Sequence, residues 1–221
     1  SNNSGQLGDG GYFGREQAYQ VMTGIVQSAA GSSHSLLLRE DGTVWAFGLN
    51  DRGQLGDGTT TDRRTPVMVM TGASAVAAGG GFSLFLESDG SVWAAGNNSF
   101  GQLGDGTTTH RSTPVQVFHG AQAISAGTFT SYILDNQGAV WAAGMNNRGQ
   151  FGNGSTRNSS TFIQVIDGVK DVFGGRYQVF YLKQDHSLWA AGENTSGQLG
   201  TGKTEHVLTA LQVMSNVQCA A

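Results

Sequence analysis

The chain has 221 residues, 38% hydrophobic and 13% charged, a balance that supports a packed core and excludes a disordered chain. Its net charge is −4 and its only lysines are Lys170, Lys183 and Lys203, so no basic stripe exists to neutralise a phosphate backbone and no nucleic-acid partner is expected. Apolar runs such as 35–38 and 76–78 are strand-sized, far short of the roughly 20 residues of a membrane helix, so no membrane insertion is expected.

Taken from the start, the phrase Ser1-Asn2-Asn3-Ser4-Gly5-Gln6-Leu7-Gly8-Asp9-Gly10 returns, with small changes, at 50–58, 98–106, 146–154 and 194–202. The glycines of Gly-Gln fall at 5, 53, 101, 149 and 197 and the tryptophans at 45, 93, 141 and 189, a constant step of 48. Self-similarity at such a period decides the fold class. The chain reads as one domain over 1–221: a repeat tail at 1–24, full repeats at 25–72, 73–120, 121–168 and 169–216, and the start of another at 217–221. Ser1 falls inside a repeat unit, which is read as a chain continued upstream. Cys219, the sole cysteine, excludes an intrachain disulfide framework and a cysteine zinc site.

Within the second repeat, strands are expected over 75–78, 82–86, 91–95 and 114–118. Ser88-Asp89-Gly90, like Glu40-Asp41-Gly42, joins the second strand to the third, since Asp-Gly between apolar runs is a hairpin signal whose two residues both tolerate positive φ. Pro66 and Pro114 are placed at the start of the fourth strand, where a missing N–H does least harm. No stretch keeps a helical period. Four short antiparallel strands per unit predict an all-β fold, a β-propeller; a β-solenoid is the runner-up, with coils usually shorter than this step.

Several positions recur in every unit. The glycines of the repeated phrase suit positive φ or close approach to a neighbouring blade, and Gln54, Gln102, Gln150 and Gln198 can each donate and accept within that loop. An architectural role is preferred for them over a recurrent ligand contact. Trp45, Trp93, Trp141 and Trp189 are expected to pack between blades; at about 150–250 Å² each, burial gives roughly 4–6 kcal/mol apiece.

Residues 76–106, V-A-A-G-G-G-F-S-L-F-L-E-S-D-G-S-V-W-A-A-G-N-N-S-F-G-Q-L-G-D-G, resemble the regulator-of-chromosome-condensation repeat, and the likeness extends over essentially the whole chain. The resemblance, to a bacterial-like member, implies a propeller, commonly of seven blades, and a protein-binding platform. The family includes a guanine-nucleotide exchange factor for a small nuclear GTPase and a bacterial propeller that inhibits β-lactamase. Seven units at this step need about 115 more residues than the chain has, so missing blades or self-association with a second copy is expected to close the ring.

Chemistry is sparse. Gly56 to Asp62 looks like a calcium loop, but its aspartate becomes Asn153 and Thr201 and no glutamate follows at bidentate spacing. His34, His110, His119, His186 and His206 are read as falling at different positions of their units, which leaves no clustered general base. The sequons at Asn97 and Asn158 are read as accidents of an Asn-rich chain. No enzyme, metal or cofactor is expected. The Lys-poor surface, rich in Ser, Thr, Asn, Gln and Gly, suggests a secreted or cell-surface setting.

Strand alternation brings the loops after the first and third strands to one face. Their variable tips carry His34, Asp51, Arg52, Phe82, Phe100, Phe129, Arg148, Arg176 and Tyr177, residue types enriched in interface hot spots. This face is expected to bind a protein, with an inhibitor-type platform leading. An exchange factor or a glycan-binding, lectin-like propeller are the alternatives.

Overall fold

A computed structural model describes residues 1–217. The further repeat expected at 217–221, with Cys219, lies outside the described residues apart from Val217. Sixteen strands form four four-stranded antiparallel sheets, each in chain order. The first holds β1 (Ile25–Ala30), β2 (His34–Arg39), β3 (Val44–Gly48) and β4 (Arg63–Met70). The second holds β5 (Ala73–Ala78), β6 (Phe82–Glu87), β7 (Val92–Gly96) and β8 (Arg111–Phe118). The third holds β9 (Ala121–Ala126), β10 (Thr130–Asp135), β11 (Val140–Gly144) and β12 (Ser159–Ile166). The fourth holds β13 (Val169–Gly174), β14 (Gln178–Lys183), β15 (Leu188–Gly192) and β16 (Val207–Met214). The first strands β1, β5, β9 and β13 contact one another in succession, so the sheets are blades arranged about a common axis: a propeller.

The inner strands explain their own composition. Phe82 to Leu86 of β6 and Thr130 to Leu134 of β10 are buried at every position, because each sheet is covered on both faces by its neighbours and polar alternation gives way to continuous apolar sequence. Leu36, Val44, Leu55, Val76 and Phe85 fill the space between the first two sheets; Tyr132, Leu134, Phe151, Val179 and Tyr181 fill that between the last two. Each fully buried aliphatic or aromatic side chain contributes roughly 1.5–3 kcal/mol by leaving water.

Three local expectations are corrected. In the β2–β3 hairpin only Gly42 has positive φ, 76°; Asp41 stays on the negative side and accepts hydrogen bonds from the Thr43 N–H (3.0 Å) and hydroxyl (2.6 Å). Pro66 and Pro114 lie in mid-strand, beside the register shifts of β4 and β8; these outermost strands pair on one side only, so a lost N–H is tolerated. Trp93, Trp141 and Trp189 pack against the apolar clusters between blades, but all four tryptophans stay half-buried, because each indole N–H reaches for a polar partner at the hairpin end: Thr43, Glu87, Asp135 and Ser187 for Trp45, Trp93, Trp141 and Trp189, at 2.8–3.1 Å. Residues 15–22, aligned with β16, form no strand.

Candidate functional site

In each blade the backbone N–H just after the third strand donates to the loop after the first: Leu49 to Ser33, Asn97 to Gly81, Met145 to Phe129 and Glu193 to Tyr177, at 2.8–2.9 Å. Both sets of tips therefore share one face. At its centre the C-terminal ends of β1, β5, β9 and β13 surround an open recess of about 650 Å³, lined largely by glycine and alanine with Thr128, Phe129, Arg176 and Tyr177 on the rim.

Five of the nine candidate contact residues come together there. Phe100, from the second blade, meets Phe129 of the third edge-on, with ring centroids 5.3 Å apart. Phe129 lies 6.2 Å from Tyr177 of the fourth. Arg148 and Arg176 lie over the Tyr177 ring at 4.8 and 5.3 Å, and Arg148 also forms an ion pair with Glu193. Arg176 is exposed and the other four are half-buried. Aromatic pairs add about 0.5–1.5 kcal/mol beyond burial and exposed cation–π contacts about 0.5–1 kcal/mol, enough to hold the rim in one arrangement.

Asp51 and Arg52, both exposed, stand apart from this patch. Arg52 is 3.6 Å from Asp51 and 3.3 Å from the His110 ring of the next blade. His34 and Phe82 leave the candidate surface altogether: at 2% and 0% exposed they belong to the interior. They are the first residues of β2 and β6, one position past the loop, and their rings point between blades. Burial pulls the His34 pKa down to about 4; its Nε2 is 3.0 Å from the Ser83 hydroxyl, which itself donates to the Gln54 carbonyl at 2.6 Å.

The repeated phrase is a clasp between blades. Gly58, Gly106 and Gly154 each donate a backbone N–H to the fourth strand of the following sheet, at Ser112, Ser160 and Leu208 (2.8–2.9 Å), and Gly10 does the same to Arg64. Gln54, Gln102 and Gln150 are buried and accept from the N–H two residues earlier, at Arg52, Phe100 and Arg148. Gln198 makes the same bond to Ser196 but is exposed. Asn50, fully buried, accepts from the Leu55 N–H and donates to Asp57 and the carbonyls of Thr59 and Thr61. The Asp57 carboxylate is held by Thr59 and Arg63; burial pushes its pKa up, and these hydrogen bonds more than reverse that.

A model of the RCC1-like domain matches residues 1–221. The chain belongs to the RCC1-like domain family. No match among curated proteins reaches significance. Among solved structures, human WBSCR16 is similar over 97% of this chain and 61% of its own, at 23% identity and a TM-score of 0.84. Yeast RCC1 (Prp20), in a structure with Kap60, is similar over 89% and 51%, at 23% identity and a TM-score of 0.77; Prp20p from Saccharomyces cerevisiae gives 87% and 51%, 21% and 0.75. These likenesses establish the fold, and the chain spans from about half to three-fifths of those proteins' length.

Two features of this RCC1-like domain escaped sequence reasoning. His110 and His206 occupy the same repeat position, with Asp62 and Asn158 at the other two, contrary to the reading that the histidines all differ in position. Each of the four side chains accepts the N–H of the buried asparagine: Asn50, Asn98, Asn146 or Asn194. The signal was available in the spacing of 48 between 62 and 110. The glycine-lined recess had no such signal, because it exists only where four blades converge.

Proposed function

We propose that this RCC1-like propeller arc is a non-enzymatic protein-binding platform that uses the loop-tip face and acts as an inhibitor-type scaffold by covering its partner. The observation that carries the reading is the continuous patch of Phe100, Phe129, Tyr177, Arg148 and Arg176, of which Phe129, Arg176 and Tyr177 line the recess. Aromatic and arginine side chains held by one another lose little entropy on docking. The similar yeast protein, bound to Kap60 in one structure and with binding properties to Gsp1p and histones in the other, supports a protein-binding role. The test is binding of a partner recovered from the cells of origin: alanine at Phe100, Phe129 and Tyr177 together is expected to weaken it by at least about 2 kcal/mol, and unchanged binding by a folded variant rejects the reading.

Exchange-factor activity is the second reading, favoured by the binding of Prp20p to Gsp1p; accelerated nucleotide release from a small GTPase would move it ahead. We further propose that the 1–24 tail and four repeats act as one domain, whose exposed fourth-sheet face is covered by further repeats or a second copy. The lysine-poor surface supports a secreted or cell-surface setting, which localisation in the cells of origin tests.

A further inference from the structure

Most arginines towards the loop-tip end are committed to carboxylates. Arg63 and Arg111 bind Asp57 and Asp105, Arg148 binds Glu193, and Arg52 is engaged by Asp51 and His110. Arg64, Arg157 and Arg176 are exposed with no carboxylate within ion-pair reach among the described residues, and of these three only Arg176 lines the recess. Its guanidinium lies over Tyr177 on the rim of the recess, so the fork is already oriented while its donors face solvent. From Tyr177 the half-buried rings continue to Phe129 and then to Phe100. Behind Arg176 the wall is glycine, including Gly79, Gly127 and Gly175, so no side chain obstructs entry.

The charge distribution agrees. Every lysine and arginine except Arg39, Lys170 and Lys183 lies towards the loop-tip end, where they offset carboxylates such as Asp51, Asp57, Asp105 and Glu193, whereas the hairpin end carries Glu40, Asp41, Glu87, Asp89, Asp135 and Asp185 with few cations to offset them. An acidic segment approaching this chain is repelled by the hairpin end and admitted at the other.

We propose that the rim of the recess captures an acidic side chain of a partner polypeptide, its carboxylate on Arg176 and an adjoining apolar or aromatic residue on Phe100 and Phe129. This rests on the protein-binding reading of the same face and names the chemistry it selects. Asp or Glu accepts two parallel N–H bonds from one guanidinium, and the neighbouring ring contact fixes which acidic residue is taken.

The test is selection of displayed random short peptides on the immobilised protein, followed by fluorescence polarisation of the selected peptides on wild type, R176A, R176E and F129A. Arg176 is exposed, so its variants are expected to keep the wild-type unfolding midpoint. Peptides carrying Asp or Glu next to Phe, Trp or Leu are expected, with affinity lowered about tenfold by R176A, the loss of one charge-assisted contact, and further by R176E. Exchanging the peptide's acid for lysine restores binding to R176E. Selected peptides without an acid, acidic peptides indifferent to R176E, or an empty selection overturn the proposal. Peptides lost with F129A but not with R176E overturn it while leaving the protein-binding face standing; peptides indifferent to both count against that face as well.

Discussion

His34 and Phe82 occupy the same position in successive repeats, and each ring lies over the glycine three residues before it, Gly31 and Gly79. One of these interior rings can take a proton. With the His34 pKa held near 4 by burial and near 6.5 in the unfolded chain, the unfolded state binds the extra proton between these values. Stability is therefore full above about pH 6.5 and falls as the pH drops towards 4, by about 3 kcal/mol in all. Urea unfolding across that window is expected to show the loss in wild type and to lack this component in H34F, which installs the ring found at Phe82. A second residue-scale prediction concerns the hydroxyls that satisfy the clasp. Ser35, Ser83 and Ser131 donate to the carbonyls of Gln6, Gln54 and Gln102, but Val179 stands in the corresponding place and the Tyr132 hydroxyl bonds Gln150 instead, at 2.9 Å. Y132F is expected to cost about 1–3 kcal/mol by orphaning a buried carbonyl, and adding V179S to recover part of it.

At the scale of the element, the clasp loop provides its own control. Gly101 has φ +80° and a Cβ there would stand 2.5 Å from the Ser160 backbone, whereas Gly197, at φ +72°, has nothing within 4 Å. G101A therefore combines left-handed strain, about 1–2 kcal/mol, with a forced separation of two blades, and G197A carries the strain alone. Chemical denaturation is expected to rank G101A clearly below G197A; equal costs contradict the clasp. The strands and their connectivity were legible because each repeat prints the same apolar and turn pattern four times over. What misled was position near a boundary. His34 and Phe82 adjoin loop residues in sequence, yet the strand begins at each of them and turns the side chain inward. The tryptophans misled differently, since their size spoke for burial while their N–H required a polar partner at the hairpin end. The grouping of Phe100, Phe129 and Tyr177 was legible only as a shared face, because contacts between blades connect residues roughly 30 to 50 apart that no local pattern links.

For the molecule as a whole, the fourth sheet leaves Phe173, Leu208, Leu211 and Met214 exposed at 43%, 38%, 37% and 57%. Apolar surface grouped in this way favours association, so light scattering is expected to give a mass above that of one 23.1 kDa chain; a stable sample at the single-chain mass contradicts this. The two ends of the propeller axis also differ, one carrying arginine and aromatic tips about a recess and the other acidic hairpins, and the proposed docking face is the former. The direct measurement is photo-crosslinking in the cells of origin, with a benzophenone amino acid placed at Arg52, Ser99 or Asn147, exposed positions of the loop-tip face, or at Ser88 or Asn136 on the hairpin face. The predicted result is a discrete protein adduct from the loop-tip positions and none from the hairpin positions; adducts from the hairpin face alone, or none from Ser99 and Asn147, would contradict it.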